Sequence, residues 1–493
     1  MTPEQALRQQ RLKKLQLFHS QDIETYGCRF EKTASCAVLA KDYPAGTSLR
    51  AAGRLTARRE HGKSLFADVR DSSGKIQIYA KEGQLDAERL ALLASLDVGD
   101  WVGIAGKLFH TKTGEPTIAV EDVILLAKSL RPIPEKWHGL KDQEVRYRQR
   151  YLDLIANPEV RSAFEVRTRV IRELRRLLDT AGYLEVETPM MHAMPGGATG
   201  EPFATHHRAL DLPLFLRLAP ELYLKRLLVG GFERVYELSK SFRNEGLSPR
   251  HNPEFTMLEA YAAYDDYEGM MRLTQHLLTE TARAVMGTTT LTYQGKTMAL
   301  HGTWRRLSFA ELVKARYGVT PSDGSEVLLH KLGKRRGGAK GPLSRSQIVR
   351  LIEEEFDPET HGEPVLITDY WTDLSPLAKA RRDDPLLAER FELFLGGLEL
   401  ANGYSELNDP LEQRRRFEAQ LDGVPRGRRH VDEEFVEALE YGMPPAGGLG
   451  IGIDRFVMLL TNQPSIRDVI LFPLLRPSSP RTVRQQRTVN SEP

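Results

Sequence analysis

Cysteine is almost missing from this 493-residue sequence, which holds only Cys28 and Cys36. Two thiols cannot build a disulfide framework, and a zinc cluster would have to recruit histidines and carboxylates. Long apolar runs are missing too: none approaches the ~18–20 residues that cross a bilayer. Residues 1–20 are polar and carry no apolar signal core, so a cytoplasmic protein with no membrane partner is expected. Neither a GxxxxGK[ST] phosphate loop nor a GxGxxG dinucleotide fingerprint occurs, which sets aside those two modes of nucleotide binding. Charge of one sign is not in excess either, with 69 basic residues against 67 acidic ones. Taken alone, that balance points away from a nucleic-acid partner.

What is present is ordinary globular composition, 41% hydrophobic and 28% charged, at a length that suits two to four domains. The charge is unevenly spread. Residues 1–150 carry 25 basic and 19 acidic residues, a net of +6, and the remainder carries 44 and 48, a net of −4.

Residues 1–47 read as a mostly helical lead-in. Ser48–Leu55, Ser64–Val69, Gly74–Tyr79, Asp100–Leu108 and Pro116–Leu126 then alternate as five short strands, with Lys81–Leu96 as an inserted helix. Five strands in about 80 residues predict a small closed barrel of the OB type over 48–130. Arg131-Pro132-Ile133-Pro134 interrupts regular structure, and a basic linker with Tyr147 in it is expected over 131–150. An α+β domain is expected over 151–477, followed by a disordered tail over 478–493. Phe164, Ile171, Leu174 and Leu178 recur at spacings that predict one face of a helix, with Gly182 at its end. Arg234–Phe242 and Glu254–Tyr264 read as an antiparallel pair, and Leu449–Ile453 as a Gly-rich strand entering an apolar helix. Residues 331–350 hold seven basic residues, no acidic ones and several glycines, and are expected to be a solvated loop.

The chemistry concentrates in Phe242-Arg243-Asn244-Glu245 and in Arg250-His251-Asn252-Pro253-Glu254-Phe255, continuing to Glu259. Two arginines suit a polyphosphate and an aromatic suits a base face. Gly450-Ile451-Gly452-Ile453-Asp454-Arg455 adds a third arginine, expected on a strand with no bulky neighbours.

With Glu185-Val186-Glu187-Thr188-Pro189 upstream, these segments resemble the three signatures of class II aminoacyl-tRNA synthetases, in order. Within that class the chain resembles the bacterial-type lysyl-tRNA synthetases, of the lysyl, aspartyl and asparaginyl subclass. The residues that carry this are Pro195-Gly196-Gly197-Ala198, Ala219-Pro220-Glu221-Leu222-Tyr223-Leu224-Lys225, Leu374–Lys379 and Gly397–Asn408. Ala401 stands where many relatives have Gly, and Trp371 where Pro is frequent.

The resemblance implies an OB-fold anticodon domain, then a catalytic domain built on an antiparallel β-sheet flanked by helices. It implies ATP-dependent activation of L-lysine, transfer to tRNA(Lys), Mg²⁺ as cofactor, and a homodimer. By the same resemblance ATP meets Arg243, Glu245, His251, Asn252, Phe255 and Arg455, with Arg243, His251 and Arg455 catalytic. Lysine meets Gly197, Glu221, Glu259, Tyr261, Asn402, Tyr404 and Glu406. Glu392 and Glu399 hold the metal, although their odd separation in sequence needs a hairpin or bulge at Gly396-Gly397 to bring them together. Phe66 and Gln77 match family positions that contact the anticodon; independently of the resemblance, the basic Arg58 and Lys63 nearby suit phosphates. Acidic residues in the substrate motifs favour a cationic amino acid over aspartate. An aspartyl or asparaginyl enzyme, a protein-lysylating relative and a non-catalytic RNA-binding paralogue remain open at this level.

Overall fold

The computed structural model describes residues 2–27, 29–133, 140–198, 200–332, 343, 345–354, 356, 362–421 and 431–477. Most of the basic glycine-containing segment at 331–350 and the whole 478–493 tail lie outside them, as does part of the expected linker. The chain divides into two units: residues 1–141 with 155–157, and residues 142–154 with 158–493.

In the first unit β1 (Ser48–His61), β2 (Ser64–Arg70), β3 (Lys75–Lys81), β4 (Trp101–His110) and β5 (Pro116–Ala127) close a barrel in the order β1-β2-β3-β5-β4. Each strand alternates, so Leu65, Ala67 and Val69 of β2 point inward with Ile76 and Ile78 of β3. The first strand runs further than its apolar residues suggest. It pairs with β2 as far as His61↔Ser64, so Arg59 and Glu60 are strand, not turn. Helices α1 (Pro3–Ser20) and α2 (Cys36–Asp42) are part of this unit, because Phe18, Cys36 and Leu39 lie in the barrel core. Helix α3 (Ala87–Ser95) buries Leu92 and Leu93 in the same core.

The second unit begins at Asp142, so residues 142–150 are not linker. Tyr147 is buried and its hydroxyl donates to Asp468 at 2.9 Å, while the buried Arg150 pairs with Asp153 at 2.7 Å. These basic residues serve the local fold.

The second unit is built on an eight-stranded sheet. Its strands are β6 (Leu184–Glu185), β7 (Arg234–Phe242), β8 (Glu254–Ala263), β9 (Arg305–Ser308), β10 (Val365–Thr368), β11 (Arg390–Leu395), β12 (Leu398–Ser405) and β13 (Ala446–Gly452). They lie in the order β9-β10-β11-β12-β13-β8-β7-β6, all antiparallel except the two edge pairs. Helices α4 (Val160–Thr180), α6 (Tyr267–Met286) and α7 (Ile453–Leu460) share one apolar core with the sheet; the shorter α5 (Glu221–Val229) belongs to a second cluster with Tyr261. The buried face of α4 is Ala163, Val166, Val170, Leu174, Leu177 and Leu178. Phe164 and Ile171, expected on that face, sit at its margin, and Phe164 lies under the Arg150 guanidinium, 5.5 Å from the ring centre. Gly182 follows the helix in the left-handed region, φ +79°, where a residue without Cβ ends a helix at little cost.

Candidate active site

The strands β8, β12 and β13 form the floor of the site. The β7–β8 connection, residues 243–253, rises over it. Arg243, Glu245, Arg250, His251, Asn252 and Phe255 line a single cleft with Glu399, Asn402, Gly450, Gly452 and Arg455. The backbone N–H of Arg243 donates to Pro253 O at 2.8 Å, which fixes both ends of this connection. The Arg243 guanidinium lies 5.2 Å from the centre of the Phe255 ring, a cation–π distance, and its Nε is buried with no hydrogen-bond partner among the described residues. Asn252 donates to Glu254 O at 2.7 Å, and its own Oδ1 is buried with no hydrogen-bond partner among the described residues. The cleft therefore presents polar atoms of both a cationic and an amide side chain.

Arg455 is not on a strand. Strand β13 ends at Gly452, and Arg455 lies in the first turn of α7, held by Glu399 O at 2.7 Å and Glu399 Oε2 at 3.2 Å. Its second amino group donates to His251 Nε2 at 3.1 Å, which leaves the ring proton on Nδ1, facing Ser248 Oγ at 2.9 Å. Burial first, then the Arg455 charge, lowers the His251 pKa, so this ring is neutral near pH 7. The neighbouring Asp454 points the other way. It accepts Thr256 N and Arg167, both at 2.6 Å, and ties α7 to β8 and α4.

Glu392 and Glu399 sit on neighbouring strands of a tight hairpin. Leu395 pairs with Leu398 across Gly396 and Gly397, whose φ values of +60° and +76° suit a type I′ turn. A register shift at Leu393/Phe394 sets Glu392 opposite Asn402 and Glu399 opposite Phe394. Glu399 opens into the cleft. Glu392 is buried, contacts Arg390, and accepts the Tyr370 hydroxyl at 2.6 Å. Burial, and after it the Glu399 charge, push the Glu392 carboxyl up to about 7, against the pull of Arg390. Among the described residues no group of three or more His, Cys, Asp or Glu gathers as a metal site.

Next to the cleft lies an acidic pocket. Glu221 opens α5, Glu259 and Tyr261 lie on β8, and Tyr404 and Glu406 lie on β12 and just beyond it. All three carboxylates are buried. Tyr404 donates to Glu221 Oε2 at 2.7 Å and Tyr261 to Glu259 Oε2 at 3.0 Å. Burial, then the Glu221 charge, hold the Glu259 carboxyl up at about 8. Gly448 makes room for this cluster: a Cβ there would stand 1.8 Å from Glu406 Oε1 and 2.6 Å from the Tyr261 ring. Gly197, in the left-handed region at φ +81°, would bring a Cβ to 3.5 Å from Glu221.

One member of the pocket was not among the residues expected from sequence. The Lys225 ammonium, fully buried, pairs with Glu221 at 2.8 Å and touches Glu406. Its only local signal is the i,i+4 spacing from Glu221.

On the barrel, Phe66 faces outward and half-buried, 4.8 Å from Tyr79, which lies 5.8 Å from Phe109. Gln77 points the same way and accepts Thr117 Oγ1 at 2.9 Å. Arg58 does not reach outward. It donates to the carbonyls of Ala94 and, at 2.7 Å, Leu96, at the end of α3, because those carbonyls lack helical partners. Lys63 stays exposed beside Glu82.

The family described as tRNA synthetases class II (D, K and N) matches residues 142–476, and the OB-fold nucleic acid binding domain family matches residues 49–126. The chain belongs to the class II tRNA synthetases. The synthetase is 50% identical over 474 residues to the lysine–tRNA ligase of Carboxydothermus hydrogenoformans, covering 95% of this chain and 97% of that one. It is 49% identical over 476 residues to the lysine–tRNA ligase of Pelotomaculum thermopropionicum, covering 95% and 94%. It is 50% identical over 477 residues to that of Moorella thermoacetica, covering 95% and 97%.

Proposed function

We propose that this synthetase activates L-lysine with ATP and transfers it to the 3′ end of tRNA(Lys). The observation that carries this is the acidic pocket of Glu221, Glu259 and Glu406 beside a cleft lined by three arginines. A cationic amino acid fits the first, a polyphosphate the second.

In the first step the lysine carboxylate attacks the α-phosphorus of ATP and expels pyrophosphate. In the second, the terminal ribose hydroxyl of tRNA attacks the lysyl-adenylate and releases AMP. Neither step needs a protein nucleophile, so positioning and charge stabilisation carry the rate. Arg243 holds the α-phosphate, and the Phe255 ring takes the adenine face. Glu245 and Asn252 complete the contacts to ATP. Arg455 and His251 meet the β/γ end, where phosphate oxygens accept from the Arg455 guanidinium and from a His251 ring N–H. Tyr261 and Glu406 receive the ε-ammonium of lysine; Glu221 and Glu259 lie by its α-ammonium, with Gly197, Asn402 and Tyr404 completing the wall. Glu392 and Glu399 would hold Mg²⁺: both are hard oxygen donors, and their mutual repulsion is what a divalent cation relieves. Bound there, the ion supplies charge neutralisation to the polyphosphate.

The test is charging of total tRNA with radiolabelled lysine. Stable lysyl-tRNA at the expected level supports the reading, and its absence with active ATP turnover contradicts it.

The barrel binds the anticodon through Phe66 and Gln77, by stacking and by hydrogen bonds to base edges. The outward Phe66–Tyr79 pair supports this. Phe66→Ala is expected to raise the KM for tRNA by roughly tenfold, in line with about 1–3 kcal/mol for a stacked base. ATP–pyrophosphate exchange, which needs no tRNA, should be unchanged; an equal loss in both assays would remove the barrel from tRNA recognition.

The synthetase works as a cytoplasmic homodimer in this reading. Leu184, Met190 and Met191 are exposed beside α4, as a partner surface requires. Sedimentation should give about twice the 55.7 kDa chain mass. A mass of one chain would contradict it.

A further inference from the structure

The acidic pocket contains its own cation. Lys225 reaches into it from α5, one turn after Glu221, and its ammonium pairs with Glu221 Oε1 at 2.8 Å and contacts Glu406 Oε2. The Tyr404 ring centre is 5.6 Å away, and Leu377 O accepts from the ammonium at 3.3 Å. The side chain has no exposed area at all. Glu406 Oε1 is buried with no hydrogen-bond partner among the described residues. Lys225 therefore sits between two of the three buried carboxylates, in contact with one oxygen of each.

We propose that Lys225 is the positioning residue of the amino-acid pocket: its ammonium bridges Glu221 and Glu406, fixes their orientation, and sets the charge that an incoming diamino acid meets. This rests on the reading of that pocket as the lysine site. The charge count explains the need. Glu221, Glu259 and Glu406 are three acids in one buried volume, and Lys225 is the one base among them. A bound lysine adds its α- and ε-ammonium groups and its own carboxylate; with the Glu259 carboxyl held up at about 8, three cations stand against Glu221, Glu406 and the substrate carboxylate. Without Lys225, those three carboxylates would face two ammonium groups, an imbalance that low-dielectric surroundings make costly.

Other charges around α5 are already paired. Glu237 on β7 is held by Arg217 at 2.7 Å, and Arg226 on α5 pairs with Asp432 at 3.2 Å and Glu434 at 3.5 Å. Tyr261 and Tyr404 face the pocket as neutral donors. Burial pushes the Glu406 carboxyl well above its ordinary range, and Lys225 is the first group pulling against that rise. Burial also opposes the Lys225 ammonium, but Glu221 and Glu406 more than offset it, so its pKa is raised and it stays charged.

Removing Lys225 takes away the charge that holds the buried Glu406 carboxyl down, so Glu406 keeps its proton to higher pH. Lysine must then displace a proton to bind, so its affinity rises with pH. The experiment is lysine-dependent ATP–pyrophosphate exchange from about pH 6 to about pH 9 on the full-length enzyme and on Lys225→Met, with thermal unfolding as a fold control. The KM for lysine at pH 7 should rise about tenfold or more, and its pH profile should move about one unit or more to the alkaline side. The KM for ATP should hold. If Lys225→Met does not fold, Glu221→Gln serves: it leaves Lys225 paired with Glu406 alone, and the profile should move to the acid side. A wild-type pH profile in whichever variant folds, or a loss confined to kcat, overturns the proposal. Glu406→Gln separates this from the site reading: if that variant keeps normal lysine activation, the pocket assignment fails, whatever Lys225 does.

Discussion

Arg243→Ala is expected to lower lysine-dependent ATP–pyrophosphate exchange by on the order of 10²–10³-fold or more, the scale seen when one preorganised charge-stabilising donor is removed. Neither step needs a protein nucleophile, so the charge that Arg243 supplies carries this role. The effect should fall on kcat, because the charge at the α-phosphorus grows as pyrophosphate leaves. The fold should survive. The anchoring bond at this position is the backbone N–H to Pro253 O, which alanine keeps. Among the described residues the guanidinium Nε has no hydrogen-bond partner to lose, and the stack over Phe255 is worth only about 0.5–2 kcal/mol. Exchange within threefold or so of wild type, in a variant with unchanged circular dichroism, would take Arg243 out of the reacting centre.

Glu406→Gln carries the second large effect, and it should fall on the amino acid instead of the nucleotide. The substitution keeps size and shape but removes the charge that meets the ε-ammonium. Losing one partner of a buried charge pair costs about 2–5 kcal/mol, so kcat/KM for lysine should fall on the order of 10²–10³-fold. Lys225 keeps Glu221 at 2.8 Å, so the pocket is not left with an uncompensated cation and the protein should fold. The KM for ATP should change little. A variant that lost ATP and lysine binding together would show instead that Glu406 supports the floor of the whole site.

These two effects separate cleanly because the structure separates the two charges. The arginines enter from the β7–β8 connection and from α7, and the carboxylates from α5, β8 and the end of β12. The sequence total of +2 hides this division. The −4 balance of residues 151–493 includes the pocket acids Glu221, Glu259 and Glu406 and the hairpin acids Glu392 and Glu399.

How much of this is readable from residues alone depends on the range of the interaction. The barrel strands announce themselves through period-2 alternation and turn residues, because those signals are local. Phe66 could be placed on a strand but not on a face. Its outward direction follows from Leu65 and Ala67 filling the barrel. The end of β13 is hidden in Gly450–Leu460, where apolar residues run through strand and helix alike, so Arg455 looks like a strand residue and is in fact the first turn of α7. The margin position of Phe164 depends on Arg150, which occupies the space beside it. Arg58 is drawn to the end of α3 by carbonyls about 40 residues away, which no local pattern records. Lys225 carries the faintest signal in the sequence. Its role comes from Glu406, which lies on an element far along the chain, and the i,i+4 spacing to Glu221 also occurs on many plain helix surfaces.

The most direct test of the central claim is ATP–pyrophosphate exchange with each of the twenty amino acids in turn, without tRNA. Exchange should appear with lysine and with no other, because the pocket matches two ammonium groups. Exchange with aspartate or asparagine, or none with any amino acid, would contradict the account.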